Sequence, residues 1–477
     1  MSAVLPAALP PLPPPPAALQ IEALRHDLLA QGLAVLTAPA ELERLSRDFH
    51  DYSPVLTPLL AGRCAQLAAS AATLEQVQQV AAACARHGVP LTLRGAGTGN
   101  YGQCVPLAGG LVLTLAGLNR LRQVDAASGV FTAEAGCLLA DLDQQLAAHG
   151  RALRLQPSTA RSASLGGYVA GGSSGIGSLR WGFLSDPGNL LALEVVTVEP
   201  QPRLLQLQGD RAEPLNHAYG TNGILTALTL ASAEAVAWQE LVLAIPSWEG
   251  ALLLVRELLA SDLLLNELCL LEGPLALGLP WPHGCPGAGG ERPRLLLLAA
   301  PAALGRLAEL AAGAGAELLW QAPQGQGQGR RLPLRELTWN HTTLHRRALD
   351  PGWTYLQLLL PEPEGPAMAA LKARWGDDLL WHLEGVRAMA APRLAAIPLV
   401  RWRGAVLLEE LIAQACDLGA VLFNPHALTV EEGGLGVVDA DQVAAKAAYD
   451  PAGLLNPGKL RGWWQRPAAA GGETAGG

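Results

Sequence analysis

Residues 94–103 read RGAGTGNYGQ, four glycines in ten positions, directly behind the short apolar run 89–93. A strand that empties into glycine leaves backbone N–H groups facing outward with no Cβ before them, a surface that suits close approach of a pyrophosphate. No Walker lysine follows, which excludes a P-loop in its usual form, and the loop is read as something other than a plain nicotinamide fingerprint. Two further clusters extend the pattern. Residues 157–177, PSTARSASLGGYVAGGSSGIG, are nearly all small or hydroxyl-bearing, the composition of backbone held against a ligand. Residues 219–230, YGTNGILTALTL, set Gly220 and Gly223 at the mouth of a β-branched and leucine-rich strand. Three such clusters, separated by ordinary α/β sequence, imply one extended ligand held along its length.

The order of these elements resembles the FAD-binding domain of the vanillyl-alcohol oxidase and p-cresol methylhydroxylase (PCMH) flavoproteins, which are similar to the glycolate oxidase subunit and FAD-linked D-lactate dehydrogenase group. Arg94-Gly-Ala-Gly-Thr-Gly matches that family's pyrophosphate loop, Ser164-Leu-Gly-Gly its second flavin segment, and Gly220-Thr-Asn-Gly its Gly-Ser-Glu-Gly turn. The run AAYDPAGLLNPGKL at 447–460 resembles the family's closing segment. The resemblance covers about residues 59–235 and again about 421–460. It implies an α+β protein with a two-subdomain PCMH-type FAD-binding domain over 21–235, an α+β substrate (cap) domain over 236–420, and a C-terminal segment, 421–465, that returns to the flavin. A disordered proline-rich leader (1–20) and a disordered tail (466–477) complete the expected organisation.

The same resemblance implies the cofactor contacts. In the first loop they are Arg94, Gly95, Ala96, Gly97, Thr98, Gly99, Asn100, Gly102 and Gln103. In the second segment they are Pro157, Ser158, Ser164, Leu165, Gly166, Gly167, Gly171, Gly172 and Gly177. Gly220, Thr221, Gly223 and Ile224 follow in the third, and Asn456 at the end. Thr98 stands where many oxidases of the family carry a histidine bonded covalently to the flavin, so the FAD expected here is noncovalent. Cys104 is the remaining candidate for attachment, its alternative being a small buried filler.

Composition sets outer limits. A chain of 477 residues, 50% hydrophobic, is long enough for two or more domains with their own cores. With 42 acidic against 33 basic residues it has no electrostatic footprint for nucleic acid. Its seven cysteines are scattered without CxxC spacing, and their odd number argues against a disulfide framework and for a reducing, cytoplasmic compartment. The proline-rich start has neither the basic residues nor the uninterrupted apolar core of a secretory signal. Of the leucine-rich runs, 241–265 is interrupted by Trp248, Glu249, Arg256, Glu257 and Asp262, and 294–303 is too short to span a bilayer. Both read as core elements, with no transmembrane segment.

Local signals place the loops. The spacing predicts a helix over 70–87 with Thr73 as N-cap and Gly88 as stop, then a strand over 89–93 that delivers the chain into the glycine loop. Strands are expected at 111–115 and 130–134, joined through 117–127, and a helix over 138–149 ended by Gly150. Near residue 236 the glycine motifs stop and leucine content rises. Residues 321–331, QAPQGQGQGRR, are too polar and glycine-rich for a core element and read as a flexible insert.

A flavin supplies redox chemistry, and the protein must orient the substrate and accept a proton. Four residues are the catalytic candidates. His341 and His345, four apart in WNHTTLH, share one face whether the stretch is helix or strand, and read as substrate ligands or base facing the ring or as a polar pair on a domain surface. His426 lies in FNPHALTVEEGG beside Glu431 and Glu432, a group that offers a cation site or an exposed acidic loop. Lys459, in NPGK, stands where the proteins this chain resembles pack near the isoalloxazine and would put a positive charge near the reduced ring, its alternative being a solvated surface turn. Arg401 and Arg403, flanking Trp402, read as a carboxylate clamp or as a solvent-facing edge. Relatives that oxidise D-2-hydroxy acids carry a histidine-rich metal sequence and a Glu-His-Gly-Ile-Gly segment. This chain has Glu431-Glu432-Gly433-Gly434-Leu435-Gly436 there and no match to the former, so no metal is expected. The expected activity is oxidation of a small organic hydroxyl compound by hydride transfer to flavin N5, with electrons passed to an unidentified acceptor. A nicotinamide-driven flavin reductase of the same fold and a non-catalytic flavin-binding protein are the alternatives.

Overall fold

The computed structural model describes residues 5–172, 174–286, 291–325 and 332–466. The first sheet carries the glycine loop. Leu67–Ser70, Leu111–Thr114 and Leu91–Arg94 run parallel in that order, with Val35–Leu36 antiparallel on the outer edge. Helix Leu74–His87 packs on it because Val77, Val80, Ala81 and Cys84 recur at helical spacing and are all buried. Its ends follow the local signals: the Thr73 hydroxyl accepts from the Gln76 N–H at 3.2 Å, and Gly88 closes it at φ +63°. The helix starts at Leu74 rather than 70, because residues 67–70 are spent on a strand.

A second, antiparallel sheet follows in the order Leu121–Asp125, Val130–Glu134, Ile224–Glu234, Leu190–Val196 and Leu204–Gln208, with Arg151–Leu153 also on Ile224–Glu234. Leu121–Asp125 is a strand where only a connection was expected, since its exposed, polar-rich sequence lacks a clean apolar alternation. From residue 239 the chain builds an eight-stranded sheet in the order Glu317–Pro323, Gln239–Ala244, Arg294–Ala299, Leu265–Leu271, His382–Ala388, Ala391–Ala396, Leu358–Leu359 and Val421–Leu422. The leucine-rich run 241–265 thus resolves into strand, helix Trp248–Ala260 and strand. Among the described residues no helix is long and apolar enough to cross a membrane.

One face of this large sheet packs under helices Trp248–Ala260, Leu304–Gly313, Glu364–Trp375 and Ala405–Asp417 through an all-apolar core. The other face holds Val242, Leu271 and Leu296 together with buried polar side chains, and helix Asn340–Leu349 belongs to this side.

Two expectations are corrected. The leader is seated from Leu5 onward: Leu5 is buried, and Leu9 and Leu12 pack against Leu56, Leu60 and Leu107. The leucines between the prolines supply enough apolar surface to hold the segment down. Helix Ala18–Ala30 then buries Ile21, Leu24 and Leu28. Of the expected insert, Gln321, Ala322 and Pro323 end the strand Glu317–Pro323, while 326–331 lie outside the described residues. The tail from 467 also lies outside them.

Candidate functional site

Strand Leu91–Arg94 ends in a loop whose Gly97 and Gly102 both sit at φ +71°, a conformation that L side chains rarely adopt. A Cβ on Gly95 would run into the Ser164 side chain, and Gly167 Cα would lie 3.5 Å from it. The first two glycine clusters therefore meet backbone to backbone. Ser164 caps helix Leu165–Gly171, its hydroxyl accepting from the Gly167 N–H at 3.3 Å. The third cluster docks on the same short helix, with His217 N–H donating to Val169 O at 3.0 Å and Tyr219 N–H to Ala170 O at 2.9 Å. Gly172, at φ +63°, has His217 packed where a side chain would go. Three segments far apart in sequence thus form one backbone-lined wall.

Gly97, Gly99 and Gly102 do stand at the G-x-G-x-x-G spacing of a nicotinamide fingerprint. What excludes that motif is the structure: residues 95–110 form turns and loop down to strand Leu111–Thr114, and no helix opens on the glycines. Leu165 and Ile224 bury their side chains in cores, which leaves their backbone for any contact with a ligand.

The closing segment completes the wall. Leu91 N–H donates to Leu454 O and Asn456 N–H to Leu91 O, both at 2.8 Å, which adds 454–456 to the free edge of the glycine-loop strand. The Asn456 amide donates to Gln103 O at 2.7 Å and to Tyr219 O at 2.6 Å. Behind it, Lys446 pairs with Asp450 at 2.7 Å and donates to Thr221 O and Leu455 O. That buried pair was missed in the sequence, although the two residues stand four apart on helical spacing. Lys459 is fully buried near Gly102, and its ammonium has no hydrogen-bond partner. Burial pushes it down to about 8, offset in part by Asp48 and Cys104. The Cys104 thiol is itself pushed up to about 12 by burial, so it is an un-ionised filler.

The large sheet and its neighbours reach this wall at two places. Asn100 Nδ2 donates to the Tyr355 hydroxyl at 2.7 Å, and Tyr101 also hydrogen-bonds Tyr355. Gly177 N–H donates to Asn266 O at 3.0 Å, Arg335 to Gln156 at 3.0 Å, and Arg161 pairs with Glu336 at 3.0 Å. The last two contacts tie the turn Leu334–Leu337, which leads into helix Asn340–Leu349, to Gln156 and to Arg161 of the second glycine segment.

The histidines separate on this geometry. His341 Nδ1 is 3.2 Å from a Glu336 carboxylate oxygen, and its ring is 6.3 Å from that of His345. Burial, with His345, Arg161 and Arg335 nearby, pushes His341 down to about 4, which keeps the ring neutral at neutral pH. His345 donates through Nε2 to Glu336 O at 2.8 Å. His426 is fully buried with both nitrogens engaged, Nδ1 with the Ser53 hydroxyl at 2.8 Å and Nε2 with Tyr355 O at 2.9 Å. It ties the N-terminal region to Tyr355 and presents no free nitrogen to a substrate.

Other candidates are spent on the fold. Arg401 pairs with Asp350 and Arg403 with Asp378 at 3.0 Å, and Leu399–Arg401 is the central strand of a three-stranded sheet. Glu431 accepts the N–H groups of Arg461 and Gly462, and Glu432 pairs with Arg461, so this is not an exposed acidic loop. Sequence reasoning also missed a row of buried polar groups on the face of the large sheet opposite the helical core: Glu240, Glu267, Cys269, His382 and Glu384. Burial raises all three carboxyls, Glu240 to about 7. Their signal was the two-residue spacing within strands, which reads as ordinary alternation until the partner strands are known.

The glycine wall and the parallel sheet beneath it define an α/β flavoprotein with the PCMH-type FAD-binding fold. Residues 65–201 match the FAD binding domain family, and the chain carries that domain. An uncharacterized FAD-linked oxidoreductase of Mycobacterium tuberculosis is 35% identical over 129 residues, 27% of this chain and 28% of that protein. A putative mitochondrial D-lactate dehydrogenase of Schizosaccharomyces pombe is 30% identical over 168 residues, 35% and 30% of the two chains. Glycolate oxidase subunit GlcD of Escherichia coli is 32% identical over 126 residues, 26% and 25%. The alignments thus span between a quarter and a third of these relatives. An alkyldihydroxyacetonephosphate synthase structure superposes with TM-score 0.71 at 15% identity, covering 93% of this chain and 85% of that one, a likeness of fold.

Proposed function

We propose that the chain is an FAD-dependent oxidoreductase that oxidises a small organic hydroxyl compound, with residues 21–235 and the closing segment 421–465 holding the flavin and 236–420 forming the substrate side. The wall fits the group on its own chemistry. It offers glycine backbone packed so closely that a Cβ at Gly95 or Gly97 would meet Ser164 or Arg94, and a buried ammonium at Lys459 that lacks a hydrogen-bond partner. The loop 94–103, the segment 157–177, Gly220–Gly223 and Asn456 would hold the FAD, noncovalently, since Thr98 lacks the imidazole that would form a histidyl–flavin bond. When bound, FAD supplies the two-electron chemistry, accepting a hydride at N5.

The protein's own work is positioning and proton handling. His341 stays neutral at pH 7 and is the group best placed to accept the hydroxyl proton. The Glu336 carboxyl, 3.2 Å from Nδ1, stabilises the ring once it is charged. Lys459 balances negative charge on the flavin. The single observation that carries the reading is the contact of the turn Leu334–Leu337, just ahead of His341's helix, with Arg161 of the second glycine segment and with Gln156 beside it, through Arg161–Glu336 and Arg335–Gln156. The test is anaerobic mixing of the flavin-loaded protein with hydroxy acids, sugar lactones and alcohols in parallel with NADH and NADPH. Bleaching of the flavin by a hydroxyl compound is the expected result. Rapid bleaching by a nicotinamide alone makes the protein a reductase, and inertness towards every donor makes it a non-catalytic flavin-binding protein.

A further inference from the structure

The sequence carries no metal motif of the kind seen in hydroxy-acid relatives, yet the large sheet assembles a different set of ligands. Cys269 lies on strand Leu265–Leu271 and faces Glu384 on strand His382–Ala388 in antiparallel register; His382, two residues before Glu384, projects from the same face. The Cys269 sulfur, a His382 ring nitrogen and a Glu384 carboxylate oxygen all lie within 4.8 Å of one another. All three residues are buried to 1% exposure or less. One carboxylate oxygen, Oε1, is held by the Trp339 N–H at 2.6 Å and by His382 Nε2 at 2.7 Å. The other, Oε2, is buried, and the Cys269 thiol hydrogen-bonds the same carboxyl. The neighbouring Glu267 adds a further buried carboxyl to the same face. A thiol, an imidazole and a carboxyl gathered this closely in a buried site form a donor set of the kind that metal ions use.

We propose that Cys269, His382 and Glu384 bind one divalent transition ion of the zinc class. Sulfur, imidazole and carboxylate together suit zinc, and a tetrahedral ion places its ligand atoms about 3.3–3.7 Å apart, so small side-chain adjustments would seat it. Binding forms the metal–sulfur bond and releases the thiol proton to solvent. The Trp339 N–H orients the carboxylate from behind, as outer-layer hydrogen bonds do at metal centres. Three protein ligands leave a fourth position for water. The site is independent of the flavin reading, because its occupancy is measured without turnover.

Full-length flavin-loaded protein, produced with zinc and dialysed against metal-free buffer, should retain about one zinc per chain by elemental analysis. Replacement by cobalt(II) should give tetrahedral d–d bands and a thiolate charge-transfer band in the cobalt-minus-zinc difference spectrum, which cancels flavin absorption. Cys269→Ser should abolish the charge-transfer band, and His382→Ala should lower metal retention about tenfold or more. Cys137→Ser, a buried cysteine away from the cluster, should leave both unchanged. Parent protein that neither retains zinc nor develops the cobalt spectrum on titration overturns the proposal, as does a charge-transfer band that survives Cys269→Ser. The parent measurements decide the question even where a variant does not fold.

Discussion

The side-chain amide of Asn456 donates to the carbonyl of Gln103 at 2.7 Å, tying the closing segment to the end of the glycine loop. The same amide reaches Tyr219 O, so one nitrogen joins three separate segments. Asn456→Ala leaves the buried Tyr219 carbonyl and the partly buried Gln103 carbonyl without that donor, a loss of about 1–3 kcal/mol for the buried group. The expected outcome is a lower Tm together with weaker FAD retention. A variant with parent Tm and parent flavin content would mean that the link is inert.

Gly97, at φ +71°, tests the loop itself. Valine there combines a strained backbone with a branched Cβ that would run into the Arg94 guanidinium, so the loop expected to hold the pyrophosphate has to deform. Gly97→Val should fold with its distant cores intact and emerge without flavin. Flavin at parent stoichiometry would place the cofactor away from residues 94–103.

Lys459 gives a pH dependence with a definite sign. Burial holds it at about 8, below lysine's ordinary 10.5. Between those values the unfolded chain binds a proton that the folded apoprotein lacks, so apoprotein stability rises as pH climbs from about 8 toward 10.5. Lys459→Met should flatten this rise and stabilise the apoprotein at pH 7 by up to about 3 kcal/mol. It should also weaken FAD binding about tenfold or more, the scale of a lost charged hydrogen bond. Denaturant titrations of apoprotein across this pH range, beside FAD titrations, read both effects; a variant that loses stability and binds FAD normally contradicts the assignment.

His341 and His426 should part company. His341→Ala should keep the flavin spectrum while slowing anaerobic flavin reduction by a true substrate about a hundredfold, the scale of a lost general base. His426→Ala empties a buried site and orphans Ser53 and Tyr355 O, so it should cost about 2–4 kcal/mol of stability. Stopped-flow reduction and chemical denaturation separate the two. Reduction at the parent rate in His341→Ala removes that residue from the chemistry and makes Tyr355 the next candidate.

Legibility followed the range of the forces involved. Thr73 and Gly88 mark their helix correctly because capping is decided within a few residues. The glycine clusters were legible because a left-handed or close-packed backbone restricts the residue at that position itself. His426 looked chemical beside its glutamates, but what defines it is Ser53, which no local pattern links to it. Cys269 and Glu384 become neighbours only through strand register, and the leucines of the proline-rich start find their partners only in the folded chain.

The most direct test of the central claim is a crystal structure of the protein with FAD bound. The predicted result is a pyrophosphate on the backbone N–H groups of residues 95–99 and the flavin beside Lys459, whose ammonium gains a hydrogen-bonded partner. FAD bound elsewhere, with Lys459 still unpartnered and the glycine wall facing solvent, would contradict it.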